Sequence, residues 1–245
     1  MTEPLRSSAS GSGGALLKVS NLQTWYGESH VLHGVEIDVR PGEVVTLLGR
    51  NGAGKTTTLK SIMGMIGKRT GSVTFGGNEI VKATSDRIAR LGVALCPEER
   101  GIFSSLSVRE NLLLPPVIRP GGLSLQQIFD LFPNLKERLD SQGTKLSGGE
   151  QQMLAIGRIL RTGARFLMLD EPTEGLAPVI IQQIGHTIAR LKSEGFTVLL
   201  VEQNFRFAAT VADRYYVVEH GKVIDAFTNA ELPDNMDKLH TYLGV

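Results

Sequence analysis

The run Gly49-Arg50-Asn51-Gly52-Ala53-Gly54-Lys55-Thr56 fits the pattern G-x-x-x-x-G-K-[ST], whose residue types suit the holding of a phosphate chain. Glycines let the backbone curl until several N–H groups converge on one anion, and a following helix adds its positive N-terminal end. Lys55 is predicted to reach the β- and γ-phosphates, Thr56 to ligate Mg²⁺ through its hydroxyl, and Thr57 to add a hydroxyl at the α-phosphate. The chemistry this implies is binding of a nucleoside triphosphate, ATP, with Mg²⁺.

Asp170 and Glu171 follow the uninterrupted apolar run Phe166–Leu169. Such a run suits a strand covered on both faces, and open α/β sheets bind ligands at the C-terminal edge of their strands. One carboxylate there can hold Mg²⁺, and a second can orient or deprotonate water. Asp170 is the expected metal residue and Glu171 the expected general base. A third segment, Leu146-Ser147-Gly148-Gly149-Glu150, precedes apolar residues at helical spacing (Met153, Leu154, Ile156, Ile159, Leu160). Ser147 and Glu150 fit a capping box. Two glycines in a first helical turn cost about 1 kcal/mol each against alanine, so capping alone does not call for them. Exposed N–H groups at a helix start suit an anion.

The elements that position these residues can be read from periodicity and breakers. Short strands are predicted at Leu16–Val19, Gly34–Val39, Val44–Leu48, Gly71–Phe75 and Gly92–Leu95, and again at Phe166–Leu169, Thr197–Val201 and Tyr215–Val218. Helices are predicted at Thr57–Met65, Val179–Lys192, Phe205–Val211 and Asp237–Leu243. From about Ser107 to Ala164 the pattern is helical, broken at Pro115-Pro116 and Pro120-Gly121-Gly122. The alternation predicts an α/β fold, a largely parallel sheet with helices on both faces.

Bulk properties bound the rest. With 245 residues and 41% hydrophobic content, the chain can bury a sizeable core. The Ser/Gly-rich start, residues 1–14, reads as a flexible tail before one domain, 15–245. A formal charge of +1 gives no electrostatic case for nucleic acid as partner. The single Cys96 excludes an internal disulfide and suits a reducing cytosol. No apolar run approaches the ~20 residues of a membrane-spanning helix, and no secretory signal is visible. The chain is expected to be soluble by itself and to dock on a membrane partner.

GRNGAGKTT, LSGGE and FLMLDEP, in this order, resemble the ATP-binding subunit of an ABC transporter, over essentially all of Leu16–Val245. The resemblance implies a P-loop NTPase core of ABC type with an N-terminal antiparallel β part and a helical subdomain at about 100–165. It implies two such domains paired head to tail, with Ser147, Gly148 and Gly149 acting on ATP held by the partner. Tyr26 matches the aromatic residue that stacks on adenine, and Glu174–Ala177 the loop that crosses to the partner. Two positions depart from the pattern. Glu98 stands where most members carry glutamine, and Gln203 where most carry histidine; Glu98 can ligate Mg²⁺ but repels phosphate, and Gln203 can donate a hydrogen bond but cannot titrate.

CPEERGIF, LSVRENL, LSGGEQQMLAIGRIL, EPTEGLAP, LLVEQN and a terminal YLG resemble the LivF-type ATPase of branched-chain amino acid importers. Importers of urea and short-chain amides use a close relative, which leaves the cargo open. A non-transport ABC ATPase and an exporter ATPase are further alternatives. The resemblance implies a second, related ATPase subunit, two membrane permeases and an external solute-binding protein as partners. It places the chain peripherally on the cytoplasmic face of the membrane.

Overall fold

A computed structural model describes residues 14–244. The expected tail, 1–14, lies outside them except for Gly14. Two sheets are stacked. The first is antiparallel, with strand order β2-β1-β4-β5, from β1 (Leu17–Tyr26), β2 (Ser29–Val39), β4 (Lys68–Phe75) and β5 (Asn78–Glu79). The second has the order β10-β9-β3-β8-β7-β6, from β3 (Val44–Leu48), β6 (Val93–Cys96), β7 (Phe166–Asp170), β8 (Thr197–Glu202), β9 (Arg214–Glu219) and β10 (Lys222–Thr228). Its pairings are parallel except for β9–β10, as required when two strands join through the two-residue turn His220-Gly221.

Strands β3, β7 and β8 are buried along their whole length, because both faces of this sheet are covered. Val45, Leu47, Phe166, Met168, Leu199 and Val201 face the antiparallel sheet. Helices α1 (Lys55–Ile62) and α2 (Ser85–Arg90) share that layer through Leu59, Ile62 and Ile88. The opposite face meets α3 (Val108–Leu113), α4 (Leu125–Leu131), α5 (Pro133–Glu137), α6 (Gly148–Leu160), α7 (Pro178–Ser193), α8 (Phe205–Val211) and α9 (Met236–Leu243). Arg214 ties the two sheets, reaching Asp38 on β2 at 2.9 Å and Glu43 at 2.7 Å.

Several expectations need correction. Helices do not cover both faces alone, since one face is shared with the antiparallel sheet. Strand β1 runs to Tyr26 rather than ending at Val19, because a bulge between Val19 and Leu22, with Asn21 at φ 49°, breaks the alternation. Helix α1 starts two residues early, at Lys55, and ends before left-handed Gly64 (φ 75°) rather than at Met65. The stretch from Ser107 to Ala164 is helical as expected, with four α-helices and a short 3-10 helix at Gly143–Lys145 joined by turns. Helix α2 and strand β10 were not anticipated: α2 buries only Ile88, and the edge strand β10 only Phe227.

Candidate functional site

The glycine loop leaves β3 at the C-terminal edge of the parallel sheet and enters α1 through Gly54, whose φ of 107° disfavours any L side chain. Gly49 is required for another reason: a Cβ there would lie 2.4 Å from the Val218 carbonyl oxygen of β9. The β9–β10 turn braces the loop further, as the Gly221 N–H donates to the Ala53 carbonyl at 2.8 Å. A cavity of about 390 Å³ opens over the loop, lined by Asn51–Thr57 together with Val31, Glu98 and Glu171.

Lys55 is buried, and its ammonium donates to the carbonyls of Gly49 (2.7 Å) and Arg50 (3.1 Å) and pairs with Glu171 (3.0 Å). A phosphate entering the cavity would compete with Glu171 for that ammonium. The Thr56 hydroxyl donates to Asp170 at 2.9 Å, joining the loop to β7. Burial pushes the Asp170 carboxyl up to about 6, and the charges of Glu171 and Glu98 push in the same direction. Glu171 follows with φ 44°, a left-handed conformation that turns the chain off the strand, and its N–H donates to Val201. The hydroxyl and carboxylate of Thr56 and Asp170 are hard oxygen donors of the kind that Mg²⁺ takes.

The other predicted residues lie elsewhere. Tyr26, 48% exposed at the β1–β2 turn, and Gln203, exposed after β8, do not line the cavity. Nor do Ser147, Gly148 and Gly149, at the start of α6. There the capping box forms: Ser147 accepts from the Glu150 N–H at 3.3 Å, and Glu150 accepts from the Ser147 N–H at 2.7 Å. Gly149 also has a packing reason, because a Cβ would meet the Ile180 side chain at 2.9 Å.

Sequence reasoning missed Glu202, buried at the end of β8. It accepts from the Thr173 hydroxyl at 2.8 Å and the Asn204 N–H at 3.3 Å, and burial pushes it up to about 7. Its position at a strand end beside Gln203 was the available signal. Glu174, raised by burial and by Glu171 and Glu98, adds a further acid at this edge. A wider groove of about 670 Å³ near Gly122, Ser124 and Arg161 lacks such converging groups.

Residues 32–174, more than half of the chain, match the family model described as ABC transporter. The high-affinity branched-chain amino acid transport ATP-binding protein BraG of Pseudomonas aeruginosa is 44% identical, over 94% of this chain and all of that protein. A probable branched-chain amino acid transport ATP-binding protein LivF of Archaeoglobus fulgidus is 35% identical over 89% of this chain and 94% of its own length. The lipopolysaccharide export system ATP-binding protein LptB of Escherichia coli is 35% identical over 94% and 98%. A crystal structure of a nucleotide-free ATP-binding cassette from an ABC transporter superposes with a TM-score of 0.82 at 25% identity, covering 95% of this chain and 99% of that one. Phosphate loop, strand-end carboxylates, fold and full-length likeness agree: the chain belongs to the ABC transporter family, as one of its nucleotide-binding ATPase components.

Proposed function

We propose that this chain is the ATP-hydrolysing subunit of an importer for branched-chain amino acids, working on the cytoplasmic face of the membrane. The observation that carries the chemistry is the meeting of Lys55, Thr56, Asp170 and Glu171 at one sheet edge. The cargo rests on the names of BraG and LivF. Among the described residues no helix is long and apolar enough to cross a membrane, which fits a subunit that docks on two permeases. A second ABC ATPase completes the site and an external solute-binding protein delivers cargo. No nucleic acid takes part.

In this reading, N–H groups of Asn51–Thr56 and the Lys55 ammonium hold the β- and γ-phosphates, Thr57 the α-phosphate, and Tyr26 stacks on adenine. Thr56 and Asp170, with Glu98, hold Mg²⁺, which supplies charge neutralisation at the phosphates. Glu171 takes a proton from water as its oxygen bonds to the γ-phosphorus and the bond to the β–γ bridging oxygen breaks. The partner's LSGG-type segment closes over this site, while Ser147, Gly148 and Gly149 close over the partner's nucleotide. ATP stabilises the closed pair by contacts to both subunits, and hydrolysis removes them. Gln203 and Glu98 alter the catalytic output of this site; unchanged rates for Gln203→His would overturn that part.

The test is purification from membranes through a tag on this chain, followed by ATPase assays with candidate solutes and the cognate binding protein. Co-purifying permeases and stimulation by leucine, isoleucine or valine are expected. Stimulation by urea or an amide instead moves the cargo, and recovery with lipopolysaccharide-export components replaces import by export, as the likeness to LptB allows.

A further inference from the structure

Side chains of a regular strand alternate between faces, so His30 and His33 on β2 would point to opposite sides. A bulge prevents this: Thr24 pairs with Leu32 and Trp25 with His30, which leaves Val31 as the extra residue. The two imidazoles therefore meet, with ring centroids 4.1 Å apart. Trp25 stacks on His30 at 4.4 Å, and the Gln23 amide oxygen accepts from His30 Nε2 at 2.8 Å. Val31 itself lines the cavity over the phosphate loop.

The same stretch of β2 holds the turn that braces the loop. The His33 N–H donates to the Gly221 carbonyl at 2.8 Å, and the Gly221 N–H donates onward to the Ala53 carbonyl at 2.8 Å. Gly221 fits closely: a Cβ there would collide with the Val31 carbonyl oxygen and lie 3.0 Å from His33 Cδ2. A Cβ on Gly54 would in turn meet Gly221 Cα at 3.2 Å and Leu32 at 3.0 Å. A shift of His33 is thus passed through Gly221 to Ala53 and Gly54 of the loop. Among the described residues neither imidazole forms an ion pair with a carboxylate. From β10, Lys222 places its charge near His33, with Glu219 of β9 opposite it in the register and His220 in the turn. From β4, the Lys68 ammonium lies 5.5 Å over the Trp25 ring; β1 presents the neutral Gln23 and Trp25, and the β1–β2 turn the exposed Glu28. Partial burial, His30 and Lys222 hold the His33 imidazole below its ordinary 6.5.

We infer that His30 and His33 make the brace on the phosphate loop sensitive to protons: when both imidazoles are charged, their repulsion draws His33 off Gly221 and the loop binds nucleotide less tightly. The inference rests on the reading of Gly49–Thr56 as the nucleotide loop. Charging begins as pH falls below the ordinary histidine range, so the weakening grows from there downwards. Its size is up to about fivefold in affinity, roughly 1 kcal/mol, the repulsion of two unit charges about 4 Å apart in water.

The experiment measures binding of a fluorescent ATP analogue with Mg²⁺ to the full chain at pH 8 and pH 5.5, for wild type, His30→Gln, His33→Gln and the double variant. The triphosphate, Asp170 and Glu202 also titrate across this range, so the quantity read is the variant-to-wild-type ratio at each pH, in which their common part cancels. At pH 8 all four chains are expected to bind within about twofold and to melt at similar temperatures, because glutamine keeps the backbone N–H that holds Gly221. At pH 5.5 the double variant binds up to about fivefold more tightly than wild type, and each single variant comes close to it, since both remove one repulsion. His30 is exposed, so His30→Gln carries the test even where His33→Gln fails to fold. The same fall in affinity from pH 8 to 5.5 in wild type and His30→Gln overturns the inference. So does a loss of affinity in His30→Gln already at pH 8, which assigns the pair a packing role. Lack of binding by wild type at pH 8 overturns the nucleotide-loop reading and this inference with it.

Discussion

In the proposed mechanism the phosphate loop and the LSGGE segment both serve nucleotide chemistry, yet the fold treats them in opposite ways. Around the loop, Lys55 pairs with Glu171 and Thr56 bonds to Asp170; Lys55, Thr56 and Glu171 line one cavity, and a hairpin turn braces the loop from behind. At LSGGE, the capping box binds Ser147 and Glu150 to each other, Ser147 is exposed, and the nucleotide cavity lies elsewhere. The loop meets its carboxylate partners within this one chain, while LSGGE is a presented surface. Residues of the first kind should affect binding and chemistry at this chain's own nucleotide, and residues of the second kind only the paired state.

The comparison can be broken most sharply at Lys55. Lys55→Ala removes the buried ammonium and leaves Glu171 beside phosphate with no counter-charge, so ATP affinity of the isolated chain should fall 100-fold or more, on the order of 3 kcal/mol, by calorimetry. Glu171→Gln should keep nucleotide binding, lower ATPase turnover of the assembled complex on the order of 10²–10⁴-fold, and accumulate a closed, ATP-loaded pair. Normal turnover in that variant would remove Glu171 as the base.

Ser147→Ala should lower ATPase of the assembled complex while nucleotide affinity of the isolated chain stays unchanged. It should also cost about 1 kcal/mol of stability through loss of the cap. Reduced affinity in the isolated chain would erase the distinction between the two regions.

The effect that leaves turnover aside is a pH slope in stability from Glu202. Its folded value of about 7 lies above its ordinary 4.5, so between those values the folded chain keeps a proton that the unfolded chain has lost. Its contribution is therefore fully present below about pH 4.5 and declines as pH rises towards 7. Glu202→Gln should flatten the fall in stability across that window by on the order of 2 kcal/mol, read from denaturant midpoints at pH 5 and 8.

Local chemistry was legible in the sequence wherever function is written in neighbouring residues. Gly49–Thr56, Asp170–Glu171 and the Ser147–Glu150 capping box are short runs whose side chains and backbone act within a few residues of one another. The buried strands were legible from continuous apolar runs. The bulged β1 and the edge strand β10 were not, because a bulge breaks alternation and an edge strand buries too little to show a pattern. Glu202 escaped for a different reason, since its hydroxyl partner Thr173 lies 29 positions away.

The sequence by itself determined that a phosphate-binding loop, a strand-end carboxylate pair and a capped glycine helix exist, because each is encoded by adjacent residues with fixed backbone demands. Only the tertiary structure decided which of them meet. It joined Thr56 to Asp170 across 114 positions and Lys55 to Glu171, and it left Ser147 outside their cavity. The physical reason is strand order: β3 and β7 flank β8 in one parallel sheet, so their C-terminal ends share an edge, whereas α6 packs on a face of that sheet.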